Sequence, residues 1–236
     1  MPRPTTSYYA ARWGYQKLDA TRYEQRRYGG LVRRANHRML ERALARALRD
    51  VPEGGLVLDA PCGTGILAPF LGRHGFRVVG VDISPAMLAV ARGRGPRVEY
   101  VRGDLEAPPC RPRCVDAVVS TRFLMHLPPE TRPTMLRGLA ELTRGGPVVA
   151  TVCHPYTLKS LGRALRRAIG LKAKRSQRLR RRDLAAEAST AGLLLERVIP
   201  VLPFLSEVWV VVLRTPPAPL QALSKHCGNN AANGQG

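Results

Sequence analysis

Apolar residues recur along this chain in two rhythms. After the Gly29-Gly30 break, LVRRANHRMLERALARALRD places Leu31, Ala35, Met39, Ala43 and Ala47 at helical spacing, with arginines on the other faces. That spacing predicts an amphipathic helix, ended by Pro52 and Gly54-Gly55. Short unbroken apolar runs then alternate with helical patterns. LVLDA (56–60) reads as a buried strand and CGTGILAPFLGRHG as a turn feeding a helix. RVVGVDI (77–83) is a second strand, followed by a helix with Ser84 as N-cap and Pro85 at its first position. VEYVRGD (98–104), DAVVST (116–121) and PVVATVCH (147–154) supply three more strands, with a helix over 130–143. Such alternation implies a parallel sheet with helices on both faces.

The ending breaks the alternation. LRRRDLAAEASTAGL (179–193) is a helix stopped near Gly192, and ERVIPVL and SEVWVVVLR follow as strands separated only by Pro203-Phe204-Leu205. So short a link permits an antiparallel pair but no parallel crossover, so the last strand inserts antiparallel into the sheet. The expected fold is α/β: a doubly wound, mostly parallel seven-stranded sheet with an antiparallel last strand and helices on both faces. Residues 1–50 form an N-terminal helical cap and 51–214 the main domain, with a basic helical insert at 157–182. The Pro-rich, then Asn/Gly-rich stretch 215–236 reads as a disordered tail.

Composition narrows the setting. No stretch approaches the roughly 20 apolar residues of a membrane span, and MPRPTTSYYAARWGYQ has no apolar signal core, so a cytoplasmic location is expected. The five cysteines are an odd count without a small secreted framework, which favours reduced thiols. Cys110 and Cys114 form a C-x3-C pair that no second pair or nearby histidine completes, so no metal is expected. The net charge of +21 is unusual, and such a field attracts nucleic acid, anionic lipid or a phosphorylated substrate. Many of the arginines also suit solvated helix surfaces, so charge alone names no partner.

The most informative segment is Asp59-Ala60-Pro61-Cys62-Gly63-Thr64-Gly65, a glycine turn after the first strand. Such a turn brings backbone close to a ligand at the carboxyl end of the sheet. A dinucleotide would put its pyrophosphate there and favour G-x-G-x-x-G. Here Ala68 stands at the third glycine position, and the strand ends in the anionic Asp59. A carboxylate repels pyrophosphate and suits the ammonium of a methionine moiety. Twenty-three residues on, Asp82 ends the second strand where a carboxylate accepts both hydroxyls of a ribose. Asp104, with Leu105, closes the third strand within reach of an adenine amine. Each acid taken singly serves equally well as a turn former or N-cap; the set at successive strand ends is what points to a ligand.

These residues resemble the class I S-adenosylmethionine-dependent methyltransferases. The resemblance covers 56–154 and, by element order, extends to about residue 214. It implies that Asp59, Gly63, Thr64 and Gly65 form the cofactor loop, that Asp82 is the ribose acid, and that Asp104 and Leu105 flank the adenine. S-adenosyl-L-methionine is then the expected cofactor. Pro61 departs from the pattern, standing where the family often has glycine and removing one backbone N–H.

Methyl transfer from a sulfonium is an in-line displacement carried by positioning and desolvation, and a base is needed only for a protonated nucleophile. The candidate bases are His126, after the fourth strand, and His154, after the fifth. Arg122 and Tyr156 lie in the same two connections and are expected to line the acceptor. Five of the seven tyrosines fall in the first 28 residues, and Tyr23 and Tyr28, flanking Arg26 and Arg27, are the candidates for contacting ligand from a lid. Residues 158–182 hold eleven basic residues and no acid, with Leu158, Leu161, Leu165 and Ile169 along one helical face. That helix suits an anionic membrane surface, and suits equally packing on the domain.

Three functions follow. The first is a methyltransferase acting on a small or lipophilic acceptor such as a quinone, lipid or secondary metabolite. The second is an RNA-directed methyltransferase using the basic surface, less favoured because STRFLM stands where base-amine enzymes carry Asn/Asp-Pro-Pro-aromatic. The third is a non-catalytic binding protein of the same fold, against which the intact acid and glycine set argues. Asp82→Ala is expected to weaken cofactor binding in a folded protein. Calorimetry on the variant checks this, and unchanged affinity overturns the assignment.

Overall fold

A computed structural model describes residues 31–94, 98–158, 160 and 178–217. The N-terminal cap before residue 31, with Tyr23 and Tyr28, therefore lies outside the described residues. So do most of the basic insert (159 and 161–177) and the tail from residue 218.

The amphipathic pattern emerges as α1 (Leu31–Ala47), which buries Leu40, Ala43, Leu44 and Ala47. Alternation then yields β1 (Leu56–Asp59), α2 (Ala68–Arg73), β2 (Arg77–Asp82), α3 (Pro85–Arg92), β3 (Val98–Arg102) and β4 (Ala117–Ser120). A single 3-10 turn at Leu124–His126 precedes α4 (Arg132–Glu141), β5 (Val148–Cys153), α5 (Arg181–Thr190), β6 (Leu194–Pro200) and β7 (Val208–Arg214). Ser84 caps α3 as the sequence implies, its hydroxyl accepting from the Met87 N–H at 3.4 Å. The glycine turn expected from residue 62 feeds the helix that begins at Ala68. The preceding residues are held in turns because Gly63 and Gly65 take φ of +54° and +69°, values no helix contains.

The seven strands form one sheet in the order β3-β2-β1-β4-β5-β7-β6. β7 runs antiparallel to both neighbours, Val152 opposite Trp209 on one side and Val211 opposite Val198 on the other. Successive residues alternate faces, so Val57, Val119, Val149 and Val212 pack with α1 and α2, while Leu58, Val118, Val148 and Leu213 pack with α4 and α5. Both faces are thus covered, which is why the strands read as apolar runs. The strand order reverses between β1 and β4, leaving a crevice outside their carboxyl ends.

Long-range polar contacts fix the helices. The Arg197 guanidinium on β6 donates to the Arg46 and Ala47 carbonyls at the end of α1 and pairs with Asp50 at 2.7 Å. A cation there complements the helix C-terminus. Between α4 and α5, Arg132 is 3% exposed and meets both Glu187 carboxylate oxygens, at 3.0 and 2.6 Å. Removing one member strands a buried charge, so Arg132→Ala is expected to cost on the order of 3 kcal/mol in urea unfolding. The double replacement Arg132→Met with Glu187→Leu should recover most of that loss, because no unpaired charge remains.

Candidate active site

The loop after β1 is organised by one carboxylate. Asp82, 7% exposed, accepts from the Gly63 N–H at 2.8 Å and from the Ser84 N–H at 2.9 Å. The loop is also tied to β2 by the Cys62 N–H bonding the Val81 carbonyl, and Arg94 holds the Thr64 carbonyl at 2.6 Å. The two glycines serve differently. A Cβ on Gly63 would meet nothing within 4 Å, so that backbone faces open space. A Cβ on Gly65 would lie 2.5 Å from the Tyr100 hydroxyl and 3.0 Å from Ala91, so that glycine permits close packing beneath the loop.

Three buried polar atoms around this loop make no hydrogen bond: Asp59 Oδ1, Ser120 Oγ and the Tyr100 hydroxyl. Asp59 and Ser120 end the adjacent strands β1 and β4, so they flank the crevice. Each such orphan costs about 1–3 kcal/mol unless something satisfies it, and a ligand in the crevice flanked by Asp59 and Ser120 would do so for those two. Burial, and secondarily the neighbouring Asp82, pushes the Asp59 carboxyl up to about 8. Asp82 is also raised by burial, with the N–H groups of Ser84 and Gly63 pulling it back. Burial and the charges of Cys62 and Asp59 push the Tyr100 hydroxyl up to about 12.

Asp104 and Leu105 follow β3, which the Gly103 N–H ties to the Asp82 carbonyl at 3.0 Å. Asp104 is half-buried and accepts from the Glu106 N–H at 3.2 Å. Asp59, Gly63, Thr64, Gly65, Asp82, Asp104 and Leu105 therefore lie along the carboxyl ends of β1, β2 and β3. Asp82 does more than the sequence assigned to it: one oxygen holds the loop after β1 and the other the start of α3, so Asp82→Ala removes two anchors and is expected to lower stability as well as affinity.

The acceptor candidates separate. Arg122 takes φ +57° and its N–H bonds the Thr151 hydroxyl at 2.6 Å, joining the loop after β4 to strand β5. His126 ends the 3-10 turn and is exposed. His154 is 3% exposed and stacks on Trp209, ring centres 4.4 Å apart, with Tyr156 beside both, 5.7 Å from the indole and 6.1 Å from the imidazole. Its Nδ1 accepts from the Tyr156 N–H at 3.1 Å, so in the neutral ring the proton sits on Nε2. Burial lowers its pKa, opposed by the backbone of Ser206. In that tautomer the Nδ1 lone pair of His154 is engaged. Tyr156 is half exposed.

His37 on α1 was not singled out in the sequence. Burial lowers its pKa; Glu41, at 3.4 Å, opposes that, and the charges of Arg122 and Arg94 lower it further. Those two arginines come from the β4 connection and the residues just after α3, so His37 lies within range of their charges. An H-x3-E spacing on one helix face was the available signal, but nothing local says what that face meets. Among the described residues, no group of three or more His, Cys, Asp or Glu is arranged to hold a metal ion.

Comparison with known proteins agrees with this geometry. Residues 57–146 match the model of a methyltransferase domain. The chain is 34% identical over 124 residues to a malonyl-[acyl-carrier protein] O-methyltransferase of Pectobacterium atrosepticum, covering 52% of this chain and 46% of that protein. It is 35% identical over 118 residues to a 2-phytyl-1,4-naphtoquinone methyltransferase of Thermosynechococcus vestitus, covering 46% of this chain and 51% of that protein. The chain thus spans about half the length of the curated relatives it matches. Magnesium protoporphyrin IX methyltransferase from Synechocystis, crystallised with bound SAH, shares the fold with a TM-score of 0.68 at 21% identity, over 89% of this chain and all of that one.

The raised Asp59 carboxyl sets a pH dependence. Between the unfolded carboxyl's pKa near 3.8 and the folded value of about 8, the folded state binds more protons than the unfolded state. Stability of the ligand-free protein therefore falls as pH rises through that window. Asp59→Asn mimics the protonated group and is expected to flatten the fall, read as Tm against pH.

Proposed function

Since residues 57–146 belong to the methyltransferase-domain family, we propose that this protein transfers a methyl group from S-adenosylmethionine to a small or lipophilic acceptor of the quinone, lipid or secondary-metabolite class. The observation that carries the reading is the buried, unpartnered oxygen of Asp59 beside the open backbone of Gly63. An ammonium arriving there satisfies an orphaned acceptor and stabilises a carboxylate that burial disfavours. Bound S-adenosylmethionine supplies an electrophilic methyl on a sulfonium. Asp59, Gly63, Thr64 and Gly65 hold its amino-acid portion, Asp82 its ribose, and Asp104 and Leu105 its adenine. The acid-lined crevice also complements a cationic cofactor, which an anionic dinucleotide would not be.

On the acceptor side, Arg122, Tyr156 and the His154–Trp209 stack form a wall that suits a planar or apolar acceptor. Where the acceptor arrives protonated, the exposed His126 is the base we assign. The relatives named for malonyl-acyl-carrier and naphthoquinone methylation support an acceptor of this kind. The same reading puts the protein in the cytoplasm and peripheral to a membrane, drawn to anionic lipid by the basic residues of 158–182.

Calorimetry with S-adenosylmethionine tests the proposal, with NAD and the Asp82→Ala variant alongside. Micromolar binding is expected, lost in the variant and absent for NAD. Near neutral pH, binding should also release close to one proton from Asp59, seen as a heat that changes with buffer ionisation enthalpy and vanishes in Asp59→Asn. Labelled methyl transfer to quinol and lipid panels then identifies the acceptor. Transfer to RNA alone, with steeply salt-dependent binding, overturns the small-molecule reading.

A further inference from the structure

The β6–β7 hairpin ends in a turn that buries almost none of its apolar side chains. Phe204 is 72% exposed and Leu205 60%, and beside them Leu158 is 63% and Tyr156 53% exposed. These residues form one surface. The Leu158 N–H bonds the Phe204 carbonyl at 3.2 Å, and the His154 N–H bonds the Glu207 carbonyl at 2.9 Å. Thr157 and Arg178 both reach the Glu207 carboxylate, at 3.4 and 3.3 Å. The turn is stiff as well: Leu205 bonds back to Pro203 at 2.7 Å and Ser206 to Leu202 at 3.0 Å.

Phe204 sits at φ +60°, a left-handed conformation that a bulky side chain adopts at a cost. Glycine or asparagine would relieve that cost. Neither local conformation nor core packing explains a phenylalanine held there in solvent. An exposed apolar cluster of this kind marks an interaction surface.

Topology says where that surface faces. β7 is antiparallel to β5 and begins opposite Cys153, so the turn projects from the same sheet edge as the ends of β1 and β4. Leu179 is tied to the Cys153 carbonyl at that edge, and the exposed Arg180, Arg181 and Arg182 follow it into α5. Exposed apolar side chains with a run of arginines at the same sheet edge match an anionic bilayer surface: the rings and leucines enter the interface while the guanidinium groups meet headgroups. The net charge of +21 supplies long-range attraction of the same sign.

We propose that Phe204 and Leu205, with Leu158 and Tyr156, are the apolar anchor by which this protein docks on anionic lipid, the mouth of its crevice turned to the membrane. This rests on the peripheral-membrane reading above and adds the element that inserts. Charge brings the protein to the surface, and the hairpin tip holds it and sets its orientation. A lipophilic acceptor then reaches Tyr156 and Arg122 without crossing water.

The test is flotation of the full chain with vesicles of phosphatidylglycerol and phosphatidylcholine, or phosphatidylcholine alone. The double variant Phe204→Asn with Leu205→Ser is compared with the parent. Asparagine accepts the left-handed backbone, so the turn keeps its shape. Tm and S-adenosylmethionine affinity verify that variant and parent fold alike. The parent is expected to float with the anionic vesicles, and the variant to partition about tenfold less. Equal flotation of both overturns the anchor while leaving charge-driven association standing. A parent that fails to float, or that floats equally with phosphatidylcholine alone, overturns the membrane reading itself. Sedimentation showing a dimer that the variant dissociates, without flotation, assigns the surface to a second copy instead.

Discussion

The carboxylate of Asp82 is the constraint on which the site depends. It receives N–H groups from Gly63, in the loop after β1, and from Ser84, at the start of α3. Two strand ends, the glycine turn and a helix N-terminus are thereby brought to one small group. The left-handed glycines give the loop its path, but the path is held only because its N–H groups have a buried anion to meet. Asp59 then has to sit beside a second carboxylate in a dry place, and burial with that neighbour raises its pKa to about 8. The cation-seeking character of the crevice follows from this crowding of acids.

Much of this was legible in the residues. Apolar runs ending in Asp59 and Asp82 gave both the strands and the edge at which they stop, because a carboxylate closes a buried strand where solvent or ligand begins. Ser84-Pro85 announced a helix start through local chemistry alone. The three-residue link Pro203–Leu205 forced an antiparallel pair by length. What stayed hidden depends on contacts distant in sequence. His154 looked like an available imidazole until Trp209, from another strand, covered its ring and Tyr156 took up its Nδ1. His37 was an unremarked helix residue until packing brought Arg94 and Arg122 near it. The depth of Asp59 and the orphaned hydroxyl of Ser120 likewise come from layers closing over the sheet, which periodicity along one strand does not report.

The basic balance also becomes easier to interpret. Several arginines have defined structural duties: Arg132 joins α4 to α5, Arg197 closes the end of α1, and Arg144 pairs with Asp116 at 2.9 Å. Those contacts are local and short-ranged. Arg180, Arg181 and Arg182 are instead exposed together at one sheet edge, where their field adds to the overall charge. The same residue type thus serves both cohesion and long-range attraction, according to whether its head group is enclosed.

The placement of β7 between β5 and β6 has an evolutionary corollary. The loop held by Asp82 draws its contacts from β1, β2, β4 and Arg94, whereas the hairpin turn lies at 201–207 on the opposite half of the sheet. Among the described residues, no hydrogen bond of that loop passes through the turn. Insertions or exchanges at the hairpin can therefore accumulate without disturbing cofactor capture, and descendants of such a scaffold can change the surface they address while keeping the chemistry they perform.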